Sequence, residues 1–216
     1  MIITDENKIP PHADLGTRVL LLKVATRLFA KQGIKGTSVR EIAKESGQNL
    51  SLISYYFGGK EGLYQEILRL NIQDIRQKVI LDNRKYSVLT QEIFRQEILR
   101  LISAMVNLKI NSPDFLLIMQ REQLEGMPRA RDIHQELIEP VAEKWFQMME
   151  QAQTQGLIKK EVDSRSFFIL MMQSIWGYFL IDNCQLKGIR GKFSFPEDKE
   201  EFKEFIMNVF LEGIFQ

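Results

Sequence analysis

Gly33–Leu63, GIKGTSVREIAKESGQNLSLISYYFGGKEGL, reads as two short helices joined by a tight turn, followed at once by the start of a third. Ser38 is placed to cap the first helix, with Glu41 three residues on to complete a capping box. Val39, Ile42 and Ala43 recur at the spacing of a buried helical stripe. Gly47 stands where that helix must stop, because glycine takes the left-handed conformation without a Cβ clash. Asn49 is a good cap for the next helix, in which Ile53, Tyr56 and Phe57 line one side and Leu50, Ser51, Ser54 and Tyr55 the other. Two short amphipathic helices across a glycine turn predict a helix-turn-helix whose second helix enters a major groove.

GTSVREIAKESG, then NLSLISYYFGGKEGLY with its run Tyr56-Phe57-Gly58-Gly59-Lys60-Glu61, resembles the DNA-binding domain of the TetR family of one-component bacterial regulators. The resemblance covers roughly residues 17 to 65; beyond it only the family's general helical plan is visible. Two positions depart from the family pattern. Gln48 stands where an apolar residue is usual, and Ser54 where an aromatic is usual.

Working outward, the 216 residues are enough for one large domain or two small ones. The net charge is only +1, but its distribution is uneven. Thr17 to Lys60 holds eight Lys and Arg against Glu41 and Glu45, a net of +6 that leaves −5 for the remainder. A basic end on an acidic protein suits a polyanion held at that end. Cys184 is the single cysteine, so no internal disulfide forms and a reducing compartment is expected. No apolar run reaches the ~18 residues of a membrane span, and the polar start MIITDENKIPPHADLG does not read as a signal peptide. The expected location is cytoplasmic, with no membrane partner.

The predicted architecture is all-α, about nine helices. Residues 1–13 read as a flexible arm, 14–63 as the helix-turn-helix DNA-binding domain, and 64–216 as a helical ligand-binding and dimerisation domain. Helix 1 is expected from Asp14 to Gln32 on the stripe Leu21, Ala25, Leu28 and Phe29, ended by Gly33. Helix 4 is expected to run to about Leu81, about 33 Å long. DNRKYS, residues 82–87, reads as a loop; Thr90 caps the next helix, and Ser112 with Pro113 starts another that ends near Gly126. One long helix is expected over 129–155, kinked or broken at Pro140, and another from Asp163 or Ser164 that is apolar nearly all round. A last amphipathic helix is expected from about Glu197 to the end.

DNA contacts divide into those to phosphate, which position, and those to base edges, which specify. Thr37 or Ser38, Arg40 and Lys60 are the candidate phosphate ligands. The resemblance implies that Gln48, Asn49, Leu50, Ser51 and Leu52 face bases, with Ser54 exposed beside them and Tyr55 and Tyr56 near the backbone. Gln48 pairs bidentately with adenine and Leu52 packs a thymine methyl in this reading. Ser38 and Asn49 also cap helices, Tyr56 and Phe57 also serve the core, and Leu52 also suits boundary packing.

Met105, Phe115, Met119, Trp145, Met149, Phe168, Met172 and Trp176 lie on helices able to surround an apolar ligand, with ordinary core packing as the alternative for each. Arg121, Glu122 and His134 are the polar groups that would orient such a ligand, or else solvated surface. Histidine and cysteine show no zinc spacing, and no catalytic motif or cofactor site is found. The resemblance implies a homodimer through the last two helices, binding a palindromic double-stranded operator. A repressor released by a small, largely apolar effector is the expected function. The other reading is a helical small-molecule-binding protein or enzyme in which the helix-turn-helix is only scaffold; a third keeps DNA binding but makes the protein an activator.

Overall fold

The computed structural model describes residues 15–79, 88–184, 188 and 191–215. The expected arm at 1–13, the loop at 82–87 and the last two expected residues of helix 4 lie outside them. The described residues form ten helices: α1 (Leu15–Gly36), α2 (Val39–Ser46), α3 (Leu50–Phe57), α4 (Lys60–Val79), α5 (Gln91–Asn111), α6 (Pro113–Leu124), α7 (Arg131–Leu137), α8 (Glu139–Thr154), α9 (Ser164–Cys184) and α10 (Lys199–Leu211). Among them there is no strand, only an isolated antiparallel bridge between Ile158 and Phe215. The all-α class is as expected.

The tenth helix comes from Pro140. The helix expected over 129–155 is two, α7 and α8, with Pro140 in the first turn of α8. There its missing N–H has no intrahelical partner to lose, whereas in mid-helix it would clash with a carbonyl. The C-terminus is the other correction. α10 stops at Leu211, and the chain turns back so that Lys159 N–H donates to Ile214 O at 2.9 Å and Lys159 Nζ to Gly213 O at 2.8 Å.

Packing divides the chain into two compact units, one of residues 1–71 with 114–133, the other of 72–113 with 134–216. The sequence division expected at 63/64 is therefore not where packing draws the line, because α6 and the turn after it belong with the N-terminal helices. In the first unit Leu21, Ala25, Leu28 and Phe29 of α1 are buried as expected, as are Ile42, Ile53, Leu63 and Leu68. Phe29 meets Tyr64 edge-on, ring centroids 5.1 Å apart.

In the second unit Thr90 caps α5 through Ile93 N–H, and Trp145 donates its indole N–H to Val79 O at 3.3 Å. The apolar residues of α9 fall into three groups by burial. Phe167, Met171, Ile175 and Phe179 are buried, and Phe168, Met172 and Trp176 are half-buried. Ile169, Leu170 and Leu180 are exposed, so the burial on all sides expected for this helix is not met within one chain. α10 likewise buries Phe202, Ile206 and Leu211 and exposes Phe205 and Val209.

Candidate nucleic-acid interface

The helix-turn-helix is set by three local devices. Ser38 Oγ accepts the N–H of Glu41 at 3.1 Å, the expected cap. The reciprocal half of the box is replaced, because the Glu41 carboxylate accepts from Gln32 Nε2 at 2.8 Å instead. Gly47 closes α2 at φ 65°, with Gln48 N–H donating to Ala43 O at 3.0 Å, so glycine takes the left-handed position predicted for it. Asn49 Oδ1 then accepts both the N–H and the hydroxyl of Ser51 at 3.0 Å, capping α3. At the far end of α3, Gly62 lies so close to the preceding turn that a Cβ there would meet Phe57 O at 1.8 Å.

These devices decide which side chains project outward. Leu50 (42% exposed), Ser51, Ser54 and Tyr55 (46%) form the outer face of α3, with Asn49 exposed and Gln48 half-buried at its start. Ser38, the N-cap of α2, and Arg40 in its first turn are also exposed. Tyr56 is half-buried, its ring 5.2 Å from that of Tyr55.

Three of the expected contact residues are engaged within the chain. Leu52 is 3% exposed and shares the buried side of α3 with Ile53, the boundary packing that the sequence also allows. Thr37 is 1% exposed and donates its hydroxyl to Gly33 O at 2.8 Å, closing the corner after α1 rather than facing phosphate. Lys60 sends its ammonium to Ile34 O at 2.8 Å and Thr37 O at 3.0 Å, so two of its three donors are engaged in holding that same corner. The basic count of this end overstates what is available in another way too. Arg18 is paired with Glu66 and Arg27 with Glu45.

Arg121 and Glu122, read from the sequence as ligand-orienting or solvated groups, lie on α6 and find partners within the first unit. Arg121 Nη2 reaches Ala30 O and Lys31 O at 3.4 and 3.3 Å, the carbonyls at the end of α1. Glu122, 2% exposed, accepts from Tyr64 Oη at 2.9 Å and from the N–H groups of Arg129 and Ala130 at 3.0 and 3.1 Å. Arg129 also donates to Glu61 at 2.9 Å. Burial, with the Glu122 charge next, pushes the Tyr64 phenol well above its usual range. Glu122 is thus a buried structural member of the first unit, whereas Arg121 stays exposed while reaching the α1 carbonyls.

The expected ligand residues divide between the units. Phe115 and Met119 are buried in the first, Met105, Trp145 and Met149 in the second, and Phe168, Met172 and Trp176 are half-buried there. Among the described residues no group of His, Cys, Asp and Glu converges to hold a metal ion, and no single helix is long and apolar enough to cross a membrane.

Residues 21–67 match the model of bacterial regulatory proteins of the tetR family. The probable HTH-type transcriptional regulator YttP of Bacillus subtilis is 44% identical over 54 residues, 25% of this chain and 26% of that protein. The HTH-type transcriptional repressor KstR2 of Rhodococcus jostii is 38% identical over 71 residues, 31% of this chain and 35% of that one. The chain therefore aligns with about a quarter to a third of the length of these relatives. The ketosteroid transcriptional regulator KstR2 of Mycobacterium tuberculosis superposes with a TM-score of 0.70 at 19% identity, over 94% of this chain and 97% of that one. The fatty acid degradation regulator FadR of Bacillus halodurans gives 0.65 at 13% identity, over 90% and 96%. At such identities the likeness is one of fold.

Proposed function

We propose, for a chain whose residues 21–67 match the model of bacterial regulatory proteins of the tetR family, that it is a transcriptional repressor that binds a palindromic operator as a homodimer. The observation that carries this reading is the outer face of α3. Leu50, Ser51, Ser54 and Tyr55 are presented together by a capped, buried-backed helix, and Arg40 and Ser38 are exposed at the start of the helix before it. That is the arrangement of a recognition helix with phosphate ligands at its flank.

The dimer is supported by the exposed apolar rows on α9 and α10, which a second copy of the same rows would cover. Two recognition helices about a two-fold axis then require half-sites a whole number of turns apart. The effector class we assign is small and largely apolar. Phe168, Met172 and Trp176 offer half-buried apolar surface in the second unit, and the regulators of similar fold are named for ketosteroids and fatty acid degradation. Release requires that the effector bind the DNA-incompetent state better; moving a 1:99 equilibrium to 99:1 takes about 5.5 kcal/mol of differential affinity. No catalytic role is assigned to any residue, and the cytoplasm is the expected location.

Selection of bound duplexes from a random DNA pool at stated salt tests the proposal. Survivors carrying an inverted repeat are the expected result. Binding without a preferred sequence, or none, overturns it.

A further inference from the structure

α3 carries no charged residue from Leu50 to Phe57. Guanine is read in the major groove mainly by the forked donors of Arg, or by Lys, on its O6 and N7, and the helix has neither. Its polar outer groups are modest. Ser51 donates its hydroxyl to Asn49 Oδ1 and keeps only acceptor capacity, which leaves Ser54 and the phenol of Tyr55. The remaining outward group is a bare hydrocarbon, Leu50, 42% exposed at the first residue of the helix. That is the end of a recognition helix that reaches deepest into the groove.

An isobutyl group there desolvates whatever edge it meets. Against G·C or C·G it would cover N7, O6 or N4 and leave a buried donor or acceptor without a partner, which is unfavourable. Of the four bases only thymine presents an apolar group, its C5 methyl, to the major groove. Resting on the function proposed above, we infer that Leu50 is the specificity-determining residue for one thymine in each half-site, read through that methyl group. Leu52, the other leucine of the helix, is buried and takes no part.

Deoxyuridine tests this, since it removes the methyl and leaves pairing intact. In a duplex recovered from the random pool, each thymine is replaced singly by uracil and binding is measured with the full-length protein. One replacement per half-site is expected to weaken binding about four-fold, the weight of one buried methyl group. Leu50→Ala is expected to bind the thymine and uracil duplexes equally, whereas Ser51→Ala keeps the four-fold difference. Selective binding that is indifferent to every thymine methyl, or a Leu50→Ala protein that still senses it, overturns the inference and leaves the regulator reading standing. Failure to recover any preferred duplex removes both.

Discussion

The Tyr64 hydroxyl donates a 2.9 Å hydrogen bond to the Glu122 carboxylate, 58 positions along the chain, and both side chains are buried. The same carboxylate accepts two backbone N–H groups from the turn after α6, where Met127 sits at φ 58°. A non-glycine residue in the left-handed region is strained, so the turn needs such an anchor. Glu122→Ala leaves one hydroxyl and two N–H groups buried without an acceptor, at about 1–3 kcal/mol each before relaxation. The expected loss in urea unfolding is about 3 kcal/mol, and Tyr64→Phe, which removes one donor only, is expected to lose about 1 kcal/mol. An alanine variant as stable as the parent would show that the clasp contributes nothing.

Lys60 and Gly62 separate structural from DNA-contacting roles at the start of α4. With its ammonium on Ile34 O and Thr37 O, Lys60 positions the α1–α2 corner. Lys60→Met is expected to lower the unfolding free energy by about 1–2 kcal/mol and leave the slope of log K against log salt unchanged. Arg40→Ala is expected to do the reverse, reducing that slope by about 1 with stability intact. A smaller slope in the Lys60 variant would return it to the phosphate contacts. Gly62→Ala forces a methyl into Phe57 O and is expected to destabilise by several times the ~1 kcal/mol that favours alanine within helices.

The helix-turn-helix was legible because its signals are local. A cap, a left-handed glycine and a three-four spacing occupy a dozen residues, and each acts within its own turn. The sequence leaves Leu52 between base contact and boundary packing, because a helix of eight residues is short enough for its boundary row to fall on either side; in the fold Ile53 and Leu52 are both inward, and only packing decides it. The split at Pro140 needed the same knowledge, since a proline tolerated in a first turn is locally indistinguishable from one that kinks a longer helix. The buried clasp role of Glu122 was not legible for another reason. A glutamate among Arg121, Gln123 and Glu125 reads as solvated surface, and its partners Tyr64 and Arg129 come from elsewhere in the chain.

His134 supplies a pH dependence. Burial holds its pKa below the usual histidine value, with Glu139 opposing. The unfolded chain therefore takes up the proton first as pH falls through about 6.5, which favours unfolding. Stability contributed by the neutral ring is present above that pH and is lost as pH drops toward the lower folded-state value. The difference in unfolding free energy between the parent and His134→Gln is expected to be constant from pH 8 to 7 and to move against the parent below about 6.5. A difference independent of pH throughout would mean that the imidazole ionises equally easily in both states.

The exposed rows of α9 and α10 give the most direct test of assembly. Ile169, Leu170 and Leu180 on one helix and Phe205 and Val209 on the other are too apolar for a solvated face, while the buried rows behind them already complete the core of the second unit. Leu170→Asp and Val209→Asp leave that core untouched, so the folded monomer is expected to keep its helicity and unfolding midpoint. In a dimer the new carboxylates are desolvated without partners and meet their own symmetry copies across the axis. The expected penalty is at least about 3 kcal/mol, a hundredfold or more in dimer dissociation constant. Sedimentation equilibrium should then give the monomer mass, and binding to an inverted repeat should fall to the affinity of a single half-site. Unchanged mass in the double variant would place the subunit contact elsewhere, and these rows would need another partner.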